Sequence, residues 1–362
     1  MQPRDLSNHT VYAAGRGSEE VARELDLAPD ELVTLSSNEN PHGPSPAAAA
    51  AIRDGAETVH TYPKSVHTDL TERIAERWAV DPAQIWLANG GDGALDYLSR
   101  ALLDPGDSVL VSRPGFAYYA MSARYHHGRV NTYELERSNG FAQTPETVLD
   151  AYDGERIVYL TSPHNPTGTT ASLDTIEQVA EETDEETLIV VDEAYGEFAD
   201  VPSALALVEG REGWNARDDV AVLRTFSKAY GLAGVRLGYA VVPDEWAGAY
   251  ARVNTPFAAS ALACRAGLAA LDDREHVEKT VETVRWAREF VMDELDADTY
   301  PSAGNFVLVD VGDATTVAEA AKRKGVIVRD CSSFELTDCI RISCGTREET
   351  QRAVEVINEV LA

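Results

Sequence analysis

Positive charge is what this sequence has least of. Lysine and arginine number 31 against 61 aspartate and glutamate residues, a formal net charge of −30. Only five of the cations are lysines, at Lys64, Lys228, Lys279, Lys322 and Lys324. Such a chain repels phosphodiester backbones and anionic headgroups, which excludes nucleic acid and acidic membranes as partners. The acids are spread along the chain, and runs such as Glu181-Glu182 and Asp184-Glu185-Glu186 read as solvated helix faces and loops. Dispersed acidity with arginine in place of lysine is the composition expected of a protein kept soluble at very high salt.

Cysteine is scarce too. Cys264, Cys331, Cys339 and Cys344 form no C-x-x-C pair and no cluster with histidine, which excludes a zinc ribbon or a disulfide framework and fits reduced thiols in a cytoplasm. No apolar run is long enough to span a bilayer, and the opening MQPRDLSNHTVY lacks the apolar core of an export signal.

What is present is an ordinary globular composition, 44% hydrophobic over 362 residues, enough for more than one core. Apolar runs rich in Val, Ile and Leu recur at Ile85–Ala88, Ser108–Val111, Arg156–Leu160, Thr187–Val191 and Val220–Leu223, with helical patterns between them. That alternation predicts an α/β fold with a mostly parallel central sheet flanked by helices. Pro46 ahead of an alanine run predicts a helix start. From about residue 275 the pattern changes to a long helix, short strands and a closing helix, a smaller α+β domain in which Gly325 ends a helix. The expected division is an N-terminal segment, 1–45, packing with the small domain, a large domain, 46–265, and the small domain, 266–362.

In such sheets ligands sit beyond the carboxyl ends of the strands. Asn165, Asp192, Thr225, Ser227 and Lys228 all fall there, on different strand ends. A lone lysine after a strand is ordinarily a surface residue. Lys228 differs from the other four in its apolar, glycine-punctuated setting, TFSKAYGLAGVR. A lysine desolvated in such a place is a nucleophilic amine able to form a Schiff base with an aldehyde, pyridoxal phosphate being the common biological one. Gly91-Asp92-Gly93 opens a helical pattern after a strand, where free backbone N–H groups can cradle a phosphate.

The ordered segments SPHNPTG (162–168), VDEAY (191–195) and TFSK (225–228), with Arg236 and a late arginine, resemble the active-site frame of fold-type-I, pyridoxal-phosphate-dependent aminotransferases. LSSNENPHGPSP (35–46), TYP (61–63) and AYGLAG (229–234) are similar, within that superfamily, to histidinol-phosphate aminotransferases. The resemblance covers nearly the whole chain. It implies that Lys228 carries the cofactor and that Asp192 pairs with the pyridinium nitrogen. Asn165 and Tyr195 would bond the ring hydroxyl and Phe116 would stack on the ring. Gly91, Asp92, Gly93, Thr225, Ser227 and Arg236 would hold the phosphate. Arg341 would take a substrate carboxylate, or the phosphate of a substrate lacking one. Arg329 and Asn40 would also meet substrate, and Tyr62 would reach across a homodimer to the neighbouring cofactor phosphate. The implied reaction exchanges the amino group of L-histidinol phosphate with 2-oxoglutarate, giving imidazole-acetol phosphate and L-glutamate, with no metal. RDCSSF (329–334) also resembles the threonine-phosphate decarboxylases, and an aromatic-amino-acid aminotransferase would use Arg341 as well. A regulator's effector domain on the same fold would bring a DNA-binding extension, and none is seen here.

Overall fold

The computed structural model describes all residues except 1–5, 8, 10, 12–17, 26–27, 29–30, 65–66 and 212. Parts of the expected N-terminal segment therefore lie outside the described residues.

Twelve strands form two sheets among the described residues. The first strand, β1 (Val33–Leu35), precedes the central set β2 (Ile85–Ala88), β3 (Ser108–Arg113), β4 (Arg129–Glu134), β5 (Ile157–Thr161), β6 (Leu188–Asp192), β7 (Val220–Thr225) and β8 (Gly238–Val241). These seven central strands are ordered β2-β8-β7-β6-β5-β3-β4. Only β8 runs antiparallel to its neighbours, β2 and β7. Every residue of β5, β6 and β7 is buried. Side chains alternate in direction along a strand. Val158, Leu160, Ile189 and Val191 thus feed the core on one face, while Ile157, Tyr159, Leu188 and Val190 feed the core on the other. Two apolar faces require helices on both sides, which is why these strands read as continuous apolar runs.

The remaining strands are β9 (Asp298–Tyr300), β10 (Phe306–Asp310), β11 (Val326–Asp330) and β12 (Cys339–Ser343). They form a second sheet in the order β1-β11-β12-β10-β9, with β1 parallel to β11 and the other pairs antiparallel. The N-terminal segment thus joins the later sheet. A helix over Arg274–Glu294 links the two halves of the chain, its first turn capped by the Asp273 carboxylate accepting from His276 N–H at 3.3 Å. Among the described residues no helix is long and apolar enough to cross a membrane.

The helix after Pro46 spans Pro46–Gly55, capped by Ser45 Oγ accepting from Ala48 N–H. Gly325 follows the helix Ala314–Arg323 at φ +83°, the left-handed conformation glycine permits. Two central strands lacked a sequence signal. The edge strand β4, RVNTYE, is mostly solvated and polar, and β8 is four residues opening on Gly238.

Candidate active site

A cavity of about 510 Å³ opens where the carboxyl ends of β5, β6 and β7 face the later sheet. Its wall includes Gly91, Asp92, Phe116, Asn165, Asp192, Tyr195, Thr225, Ser227, Lys228, Arg236, Arg329 and Arg341. The five strand-end residues Asn165, Asp192, Thr225, Ser227 and Lys228 thus share one wall, together with seven residues expected from the glycine string and the resemblance. Three anticipated site residues stand outside the wall. Gly93 is the fourth residue of the helix Gly90–Leu102, where a Cβ would meet Ala88 Cβ at 3.3 Å. Asn40 sits behind the lysine, its Nδ2 donating to the backbone carbonyls of Lys228 (3.3 Å) and Ala229 (2.8 Å). Tyr62 is 83% exposed, its ring 5.0 Å from that of the exposed Phe257.

Lys228 Nζ donates to the Ser37 carbonyl at 3.2 Å and lies 5.6 Å from the Tyr195 ring. Tyr195 OH accepts from Asn38 Nδ2 at 3.0 Å. Ser36, Ser37 and Asn38, just beyond β1, form wall that sequence reading had assigned no role.

Asp192 ends β6 almost without solvent contact. Burial pushes its carboxyl up to about 6, opposed by hydrogen bonds that favour the charge: Tyr119 OH donates to Oδ2 at 2.6 Å and Ala194 N–H to Oδ1 at 2.9 Å. Tyr119, fully buried and stacked on Tyr159 with centroids 4.6 Å apart, was also missed. It sits three residues after Phe116 on the helix Ala117–Tyr125, one turn along, and that spacing was the available signal. Next to Asp192, the buried Glu193 takes its charge partner from Arg224 at 2.5 Å; Arg224 also binds Glu197 at 2.7 Å and packs 4.5 Å from the Trp78 ring.

Another part of the cavity wall gathers a helix N-terminus, two hydroxyls and a guanidinium. The N-terminus of the helix Gly90–Leu102 points its free N–H groups there. Thr225 Oγ1 accepts from Ser227 N–H at 3.1 Å, holding both hydroxyls at the wall, and Arg236 Nη2 lies 3.2 Å from Asp92 Oδ2. Burial raises the Asp92 carboxyl against the pull of Arg236. Close approach here depends on missing side chains. A Cβ on Gly90, at φ +78°, would fall 2.5 Å from Arg236 Nη2, and one on Gly238 would fall 2.6 Å from the Gly90 carbonyl carbon and Gly91 N. On the β11 and β12 side, Arg341 binds Asn165 Oδ1 and donates to the Ser36 carbonyl at 2.9 Å.

This donor set fits pyridoxal phosphate. A buried carboxylate suits a protonated ring nitrogen, a lysine amine the aldehyde, and the glycine-lined cup with its hydroxyls and guanidinium a phosphate. The comparisons agree. Residues 30–357 match the family model for aminotransferase class I and II. The histidinol-phosphate aminotransferase of Natronomonas pharaonis is 70% identical over 361 residues, covering 100% of both chains. That of Haloarcula marismortui is 66% identical, covering 100% of this chain and 99% of its own. Among solved structures, histidinol-phosphate aminotransferase from Sinorhizobium meliloti in complex with pyridoxal-5'-phosphate superposes with a TM-score of 0.85 at 28% identity, covering 96% of this chain and 95% of that one. Aspartate aminotransferase from Thermus thermophilus with maleate gives 0.79 at 25% identity, over 96% and 97% of the two chains. The chain, a fold-type-I aminotransferase that uses pyridoxal phosphate, belongs to aminotransferase class I and II and within it to the histidinol-phosphate aminotransferases.

Proposed function

We propose that this aminotransferase acts on L-histidinol phosphate, passing its amino group to 2-oxoglutarate to give imidazole-acetol phosphate and L-glutamate. The observation that carries the substrate reading is a pair of arginines. Arg329 and Arg341 are direct cross-strand partners on β11 and β12, and both reach the cavity wall. Like charges opposite one another on neighbouring strands destabilise a sheet. An anionic ligand offsets that cost, and a phosphate matches two guanidiniums.

Pyridoxal phosphate, when bound, supplies the electron sink that loosens the bonds at the amine-bearing carbon. The chain's own residues do the rest. Asp192 holds the ring nitrogen's proton, with Tyr119 and the Ala194 N–H keeping the carboxylate charged. Phe116 would stack on the ring, and Asn165 and Tyr195 would hold the ring hydroxyl. Gly91, Asp92, Thr225, Ser227 and Arg236 hold the phosphate. Lys228 Nζ removes the proton from the substrate's amine-bearing carbon and keeps it within the cavity. Asn40 fixes the lysine's backbone. The reading extends to a cytoplasmic homodimer in which the exposed Tyr62 completes a neighbour's phosphate cup, and to domains divided at 1–45, 46–265 and 266–362, supported by the pairing of β1 with β11.

The test is an assay of purified holoenzyme with L-histidinol phosphate and 2-oxoglutarate. Stoichiometric L-glutamate is expected. Carbon dioxide from threonine phosphate without glutamate, or faster turnover of aromatic amino acids than of histidinol phosphate, would overturn it.

A further inference from the structure

Two guanidiniums side by side on adjacent strands must be kept from splaying into solvent. The side chain placed to do this is Phe334, the last residue of the RDCSSF segment, to which the sequence had assigned no role of its own. Arg329 Cζ lies 5.8 Å and Arg341 Cζ 6.0 Å from the centre of its ring, both within cation–π range. The ring's electron-rich face attracts each cation while adding no charge of its own. Arg341 has a second ring, Phe306 at 5.3 Å, besides its bonds to Asn165 and Ser36. Arg329 donates to Ser333 Oγ at 3.0 Å, on the same turn that carries Phe334.

That turn is anchored at both ends. It covers Cys331–Phe334, and Asp330 caps it by accepting from Ser332 N–H at 2.8 Å and from its hydroxyl at 2.6 Å. The next residue, Glu335, stands at φ +65° and pairs across the cleft with Arg113 at the end of β3, 2.5 Å from Nη2. The turn that carries the ring thus contacts the end of β3 through an exposed ion pair.

We propose that Phe334 is a positioning residue that sets the anion specificity of this site: it holds Arg329 and Arg341 together as one receptor for the substrate's phosphate. The proposal rests on the function proposed above. Its test compares Phe334→Leu and Phe334→Tyr with the unaltered holoenzyme. Measured quantities are KM for L-histidinol phosphate, the competitive inhibition constant of inorganic phosphate, and kcat/KM for unphosphorylated L-histidinol. Phe334→Leu raises the first two by about tenfold, the ratio expected when both cation–π contacts are lost, and changes the third by less than about twofold. Phe334→Tyr, which keeps a ring face, restores the phosphate constants. Equal losses with both amino donors would overturn the proposal, because the ring would then be touching the donor or merely filling space. So would an unchanged phosphate inhibition constant, or failure of Phe334→Tyr to rescue at unaltered cofactor absorbance. Turnover of histidinol phosphate by the unaltered enzyme reports separately on the proposed function.

Discussion

Replacing Tyr119 by Phe removes one hydroxyl, which bonds Asp192 and the Thr161 hydroxyl at 2.9 Å. Its proton is donated to Asp192 Oδ2 at 2.6 Å inside a fully buried site. A hydrogen bond to a charged acceptor contributes about 1.5–3 kcal/mol, and 1.36 kcal/mol corresponds to one pH unit. The substitution therefore lifts the Asp192 carboxyl from about 6 to about 7 or 8 in the cofactor-free protein. The sign follows from which form binds. The ring nitrogen needs the carboxylate, so cofactor affinity falls as pH drops through the carboxyl's value, and the fall begins at higher pH in the variant. Relative to the unaltered protein, Tyr119→Phe should bind pyridoxal phosphate about five- to fiftyfold more weakly at pH 6 and nearly equally at pH 9. The assay is titration of apoprotein with cofactor, followed by visible absorbance at several pH values. A loss of equal size at every pH, or no loss at pH 6, would refute the reasoning. In the cofactor-free protein the same elevation has a stability consequence. An Asp raised above its unfolded value of about 3.9 costs stability when ionised, and that cost is relieved as pH falls from about 6 toward 4.

Two other substitutions test the scaffold. Arg224→Ala leaves Glu193 and Glu197, each less than a tenth exposed, without a counter-charge; a loss of about 3–5 kcal/mol in unfolding free energy is expected at neutral pH, read by denaturant titration. Gly238→Ala drives a methyl against the Gly90–Gly91 backbone, so the helix N-terminus must move out of the phosphate cup. Destabilisation of about 1–3 kcal/mol is expected, together with weakened pyridoxal phosphate binding in equilibrium dialysis.

The strand-end chemistry was legible because it is local. Asn165, Asp192 and Lys228 each follow an apolar run that can only be a buried strand, and the sheet then collects them. The second layer was not legible, because it depends on pairing between distant segments. Tyr119 is one tyrosine among fourteen until the helix Ala117–Tyr125 packs it under Asp192. Ser36–Asn38 joins the cavity only because β1 pairs with β11, nearly 300 residues away. The register that sets Arg329 opposite Arg341 belongs to two short strands whose individual sequences do not fix it. Gly93 lies outside the cavity wall, and a Cβ there would meet Ala88 Cβ at 3.3 Å, a packing contact that a string of glycines does not reveal in the sequence.

The central claim is that one lysine of five carries the cofactor. Borohydride treatment of the holoenzyme, followed by peptide mass mapping, tests it directly. The account predicts stoichiometric fixation of pyridoxal phosphate on Lys228 alone, with Lys228→Ala unlabelled and inactive in glutamate formation. Label on Lys64, Lys279, Lys322 or Lys324, or full turnover by Lys228→Ala, would contradict it.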